Sequence, residues 1–187
     1  MKYKALIIGG SAGSFQIILK IISKLPKNFH LPVFLSLHRL KHIRSGFVEA
    51  LSTKSVLPIK EPVDKELVKS GIIYLAPANY HMYIELGGRI ALSTEPPVNH
   101  SRPSIDLSFF SAANVYRDKL IGVILSGANR DGALGLRQVK KYNGLTIVQD
   151  PLESQINTMP NAAIEKTNVD YIYKTQEIIN FLNKIEK

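Results

Sequence analysis

The chain contains no cysteine, which excludes a disulfide scaffold, thiol catalysis and Cys-ligated zinc and is compatible with a reducing compartment. It also has no apolar run approaching the ~18 residues that cross a bilayer, so membrane insertion is not expected. The basic opening MKYK leads into an apolar run of only Ala5–Ile8 before Gly9-Gly10-Ser11 interrupts it. That reads as a strand entering a turn and not as a signal peptide, and the expected localisation is cytoplasmic. Acidic residues are missing from the first 48 positions, which carry eight Lys or Arg; the remainder of the chain nets only +1 of the total +9. Arg39, Lys41 and Arg44 beside His38 and His42 suggest a positive rim that steers an acidic partner. A solvated basic face without a partner is the alternative. No recognised nucleic-acid-binding motif is present and the basic residues are not interleaved with aromatics, so nucleic acid is not an expected partner.

What remains is an ordinary globular composition, 45% hydrophobic and 21% charged over 187 residues, which predicts a single domain over 1–187. Apolar runs alternate with helical spacing. Strands are expected at 4–8, 32–37, near Ile59, at 72–75, 121–126 and 145–149, and helices at 15–25, 45–52, 104–117, 133–144 and 175–185. Gly144 is the expected C-cap of its helix. HMYIE (81–85) and RIALS (89–93) flank Leu86-Gly87-Gly88 as a β-hairpin. Strands separated by helices call for right-handed crossovers, so the expected fold is α/β: a doubly wound, mostly parallel sheet with helices on both faces and an antiparallel β-hairpin excursion.

Ligands of such sheets bind beyond the carboxyl ends of the strands. Ser11 after the first strand, His38 after the second and Asp131 after IGVILS all fall there. A serine nucleophile needs a base, and the base needs a carboxylate to fix its tautomer. Gly9-Gly10-Ser11-Ala12-Gly13 satisfies G-x-S-x-G between a strand and a helix, where helix N–H groups can meet a developing oxyanion. The order Ser…His…Asp, with the serine at position 11, departs from an ordinary α/β-hydrolase. Dinucleotide binding is disfavoured, because Ile8 stands where G-x-G-x-x-G needs glycine and no acidic residue follows about 20 positions on. His38 and His42 are four apart, but HRLKH lacks the glutamate of H-E-x-x-H, so no metal site is expected.

Several segments in register, ALIIGGSAGSFQ, VFLSLH, IIYLAPANYHM, HSRPSIDLSFFSAA, GVILSGANRDGALGL and QDPLESQINTMPNAAIE (149–165), resemble the catalytic domain of the chemotaxis protein-glutamate methylesterases over essentially the whole chain. The resemblance implies a serine esterase that hydrolyses glutamyl methyl esters on acidic chemoreceptor helices and releases methanol; some members also deamidate receptor glutamines. It implies Ser11 as nucleophile, His38 as general base and Asp131 as the carboxylate that orients it; the choice of Asp131 among six aspartates leans on this resemblance. Backbone N–H groups near Ala12, Gly13 or Ala128 are the oxyanion candidates. His81 and Arg102 lie in segments expected near the active-site edge, with an Arg102–Asp106 ion pair as the structural alternative for Arg102. Tyr80 and Tyr83 are expected to pack on the hairpin. No metal or organic cofactor is implied.

The sequence departs from the family pattern at three places. Ala12-Gly13-Ser14 stands where Thr-Gly-Gly is usual, Arg39-Leu40 where Met-Pro is frequent, and Ala128-Asn129 where Met-Gly is frequent. Family enzymes commonly carry an N-terminal receiver domain, whereas this chain begins at the first catalytic-domain strand; a stand-alone esterase, an excised domain and a separate regulatory receiver protein as partner are the open alternatives. Two alternatives stay open: a non-catalytic homologue that binds acidic receptor helices, and a serine hydrolase or deamidase for another protein.

Overall fold

The computed structural model describes residues 2–39 and 46–185; Lys41, His42, Arg44 and the expected helix start at Ser45 lie outside them. Seven parallel strands form the main sheet: β1 (Ala5–Gly10), β2 (Val33–Leu37), β3 (Ile59–Lys60), β5 (Ile73–Leu75), β8 (Leu120–Ile124), β9 (Leu145–Gln149) and β10 (Tyr171–Tyr173). Their order is β10-β9-β8-β1-β2-β5-β3. The chain builds outward in one direction from β1 and later resumes at β8 on its other side. The crevice above β1 and its neighbours is therefore the topological switch point, where such sheets bind ligands.

β1 is buried along its whole length, which is why its sequence is continuously apolar and not alternating. Successive side chains still point to opposite faces. Leu6 and Ile8 join Leu35, Leu75, Val123 and Ile147 under α1 (Phe15–Ile22) and α6 (Thr175–Lys184), whose Ile18, Ile21, Ile178 and Leu182 close that face. Ala5 and Ile7 join Phe34, Tyr74 and Val148 beneath α3 (Ile105–Tyr116), α4 (Ala133–Lys141) and α5 (Thr158–Lys166). Each large side chain so buried contributes roughly 1.5–3 kcal/mol.

The hairpin forms at the expected residues, β6 (His81–Glu85) and β7 (Arg89–Ser93), but β4 (Glu66–Leu67) pairs with β7, so the excursion is a three-stranded antiparallel sheet. The short α2 is Phe47–Ser52. β4, α5 and β10 were not legible: β4 has two residues, and the apolar positions of α5 and β10 are too few to set a period.

Gly144 does not cap α4 as expected. Asn143 takes the left-handed conformation (φ 62°). The N–H of Asn143 donates to the Lys140 carbonyl at 2.9 Å and that of Gly144 to Val139 at 3.0 Å, a Schellman arrangement. Gly144 is required instead by space, since a Cβ there would lie 2.7 Å from Val139 Cγ1 and 3.0 Å from the carbonyl oxygens of Arg117 and Leu120.

Candidate active site

The parallel register pairs Gly10 with Leu37, and the N–H of His38 donates to the Gly10 carbonyl at 3.2 Å. Ser11 and His38 therefore leave adjacent strands side by side. On the other flank of β1, Ser11 N–H donates to Ser126 O at 2.9 Å, which ties the turn to the segment after β8. Ser14 holds the turn from below, its hydroxyl donating to Ser11 O at 2.6 Å. Gly13 has φ +83°, and a Cβ there would approach Ser126 Oγ to 2.7 Å, so only glycine fits.

His38 Nε2 lies 2.8 Å from Asp131 Oδ2. An ionised carboxylate only accepts, so Nε2 carries the proton and the lone pair sits on Nδ1. Asp131 is fully buried yet well supplied with donors. Beyond His38 it accepts from Ile105 N–H at 2.7 Å, Asp106 N–H at 3.1 Å, Ser104 Oγ at 3.1 Å and Asn99 Nδ2 at 3.2 Å. The two N–H groups belong to the first turn of α3, so the carboxylate occupies that helix's positive end. Burial pushes the Asp131 carboxyl upward, but the His38 hydrogen bond, the Ile105 and Asp106 N–H groups and the His38 charge outweigh it and hold the group below the usual carboxylate range.

Asp106 performs the converse task. Its Oδ1 accepts from Gly132 N–H at 2.9 Å and Gly135 N–H at 2.7 Å at the start of α4. Asn99 Nδ2 bridges the two carboxylates, 3.3 Å from Asp106 Oδ2. Burial first, and then the neighbouring Asp131 charge, push Asp106 up to about 6 against the pull of those N–H groups. Thus Asp131, two residues before α4, caps α3, and Asp106, in the first turn of α3, caps α4. Asp106, Asn99 and Ser104 were missed in the sequence; the signal for Ser104 was its N-cap position, where its Oγ accepts from Leu107 N–H at 3.4 Å.

Several expectations need correction. His81 opens β6, as the hairpin reading has it, but it is fully buried and not at an accessible active-site edge. Its Nδ1 accepts from Ser104 N–H at 3.1 Å and its Nε2 donates to Pro96 O at 3.1 Å, so it braces the start of α3 and cannot meet a substrate. Arg102 does not pair with Asp106. Its Nη2 donates to Asn79 Oδ1 at 2.7 Å and its Nη1 to the carbonyls of Thr94 and Glu95, which leaves it a loop clamp. Arg39 is no steering charge: its side chain is 1% exposed, 2.5 Å from Glu61 Oε1, and stacked over Phe47. Lys2 and Lys4 precede β1, on the edge of the sheet away from the site. Tyr80 is exposed and not packed; Tyr83 donates to Glu95 Oε2 at 2.8 Å.

The N–H groups of Ala12, Gly13 and Ala128 make no hydrogen bond among the described residues, so they remain candidates for an oxyanion. Ala12 O is occupied by Ser126 Oγ at 3.0 Å. No group of three or more His, Asp or Glu side chains suited to a metal occurs among the described residues, and no described helix is long and apolar enough to cross a membrane.

Residues 6–182 match the family model described as CheB methylesterase. A putative protein-glutamate methylesterase/protein-glutamine glutaminase of Leptospira interrogans is 42% identical over 187 residues, covering 100% of this chain and 97% of the relative. The protein-glutamate methylesterase/protein-glutamine glutaminase of Clostridium acetobutylicum is 32% identical over 182 residues, 97% of this chain but 53% of that longer protein. The crystal structure of the Thermotoga maritima CheB methylesterase catalytic domain superposes with a TM-score of 0.92 at 32% identity, covering 99% of this chain and 100% of that one.

Proposed function

The chain belongs to the CheB methylesterase family, and from that premise we propose that it hydrolyses glutamyl methyl esters on acidic chemoreceptor helices, with Ser11 as nucleophile, His38 as base and Asp131 as its orienting carboxylate. The observation that carries the reading is the 2.8 Å His38–Asp131 contact, set on the strand end beside Ser11. Asp131 holds the Nε2–H tautomer and stabilises the imidazolium, so Nδ1 is the nitrogen that takes the Ser11 proton as Oγ attacks the ester carbon. The tetrahedral oxyanion is met by N–H groups from Ala12, Gly13 or Ala128, a donor type contributing roughly 3–4 kcal/mol. The C–O bond to methoxide then breaks as Nδ1 returns the proton, and methanol leaves. Water repeats the sequence on the acyl-serine and releases glutamate. A glutamine side chain enters the same cycle with ammonia as leaving group.

A glutamyl-methylated receptor fragment tests the reading directly. Methanol release by wild type that disappears in Ser11→Ala is the expected result. Equal release by both excludes Ser11, and binding of the fragment without turnover by either turns the reading toward a non-catalytic receptor-binding protein.

A further inference from the structure

The Nδ1 side of His38, where Ser11 has to deliver its proton, is already supplied with donors. Asn129 Nδ2 lies 3.3 Å from Nδ1 and Ser101 Oγ 3.4 Å from it. The orientation of the Asn129 amide is fixed by chemistry: its Oδ1 accepts from Asp131 N–H at 3.1 Å, so the group facing His38 is the NH2. Nε2–H is committed to Asp131, so Nδ1 can only accept. Ser11 Oγ, by contrast, makes no hydrogen bond among the described residues. The base is thus assembled against its carboxylate while its proton-accepting lone pair is held by a residue other than the nucleophile.

We propose that Asn129 is a positioning residue that restrains the triad at rest: its amide occupies the His38 lone pair and has to be displaced before Ser11 can be deprotonated. The proposal rests on the esterase reading for its consequence, though not for the contact itself. Two features make the restraint effective. Asn129 sits two residues before Asp131 and bonds to it, so one short turn delivers both the carboxylate and the competing donor to opposite nitrogens of one ring. Ser101 is a weaker second donor, because its hydroxyl can rotate to other acceptors whereas the amide is anchored through Oδ1.

The full chain provides the test, with an alkyl fluorophosphonate as the probe: Ser11 Oγ displaces fluoride and its proton passes to Nδ1. Asn129→Ala removes the amide and is expected to label Ser11 roughly 2- to 12-fold faster, the worth of one net hydrogen bond. Asn129→Asp keeps the acceptor for Asp131 N–H but places an oxygen against Nδ1; two acceptors then draw a proton between them, and labelling is expected to slow. A loop that merely lost its order would slow both variants. The 15N resonance of His38 Nδ1 reads the contact without chemistry, and it is expected to move toward that of an uncapped ring nitrogen in Asn129→Ala. An unmoved resonance overturns the proposal, as does Ser11 labelling in Asn129→Ala at or below the wild-type rate. Failure of the esterase reading looks different: methanol release then persists in Ser11→Ala, or is absent from wild type and Asn129→Ala alike while the His38 Nδ1 resonance still moves.

Discussion

Asp106→Asn isolates a buried carboxyl whose ionisation the fold disfavours. Asp106 is 3% exposed, and burial together with the Asp131 charge raises its pKa from 3.8 to about 6. The native state therefore holds a proton that the unfolded chain releases, and stability contributed at low pH is lost as pH rises from about 4 through 6. Two pK units correspond to about 3 kcal/mol in all, of which about 1.4 kcal/mol develops between pH 5 and pH 8. Asparagine keeps an oxygen for the Gly132 and Gly135 N–H groups and can turn its NH2 toward Asp131, so the two helix starts stay capped while the titration disappears.

Urea unfolding of both proteins at intervals from pH 5 to pH 8 measures the effect. With a urea dependence of about 2 kcal/mol/M, the variant's midpoint should gain about 0.7 M on wild type across that range, with the gain levelling above pH 7. A midpoint difference that is flat with pH would refute the reasoning, because it would mean that Asp106 is ionised in the fold at no cost. N–H donors that outweighed burial would give the same flat difference, because a pKa below 3.8 is fully titrated before pH 5 is reached.

Asp131→Asn keeps one oxygen for Asp106 N–H, but it turns an NH2 toward Nε2 and shifts the His38 proton to Nδ1. Because Oδ2 also accepts from Ile105 N–H, that buried donor loses its partner. Methanol release should fall by a factor on the order of 10⁴, with a loss of about 1–3 kcal/mol in urea unfolding from the unpaired Ile105 N–H. Ser104→Ala removes both the α3 N-cap and one donor to Asp131, and should cost about 1 kcal/mol in urea unfolding. Gly135→Ala puts a Cβ 2.5 Å from Phe109 Cβ, forces α3 and α4 apart, and should destabilise by roughly 1–3 kcal/mol with a loss of esterase rate.

The sheet and the two faces of its core were legible because parallel strands buried on both sides leave continuous apolar runs, and α1 and α6 carry strong helical periodicity. Ser11 and His38 were legible by position alone, at the ends of the first two strands. The network around Asp131 was not. Asn99, Ser101, Ser104 and Asn129 are small polar residues in loops, and nothing in their spacing separates a solvent-facing residue from one aimed at a buried carboxylate. Charge misled in the opposite direction. Arg39 reads as a surface cation, but its guanidinium is withdrawn against Glu61 and Phe47, so a count of basic residues overstates the field at the site.

The position of Asp131 also explains why the site is inseparable from the fold. A lone buried carboxylate costs several kcal/mol to desolvate, and His38, which is partly exposed, cannot offset that alone. Four further donors do, and they come from the start of α3 and the loop before it. Those donors are held in turn because Asp106 on the same turn caps α4, whose N-cap Gly132 follows Asp131 directly. Each helix start thus fixes the carboxylate that the other needs. An aspartate built this way has little freedom to move, so under the proposed esterase reading adjustments of rate fall to the residues at His38 Nδ1, where Asn129 and Ser101 stand.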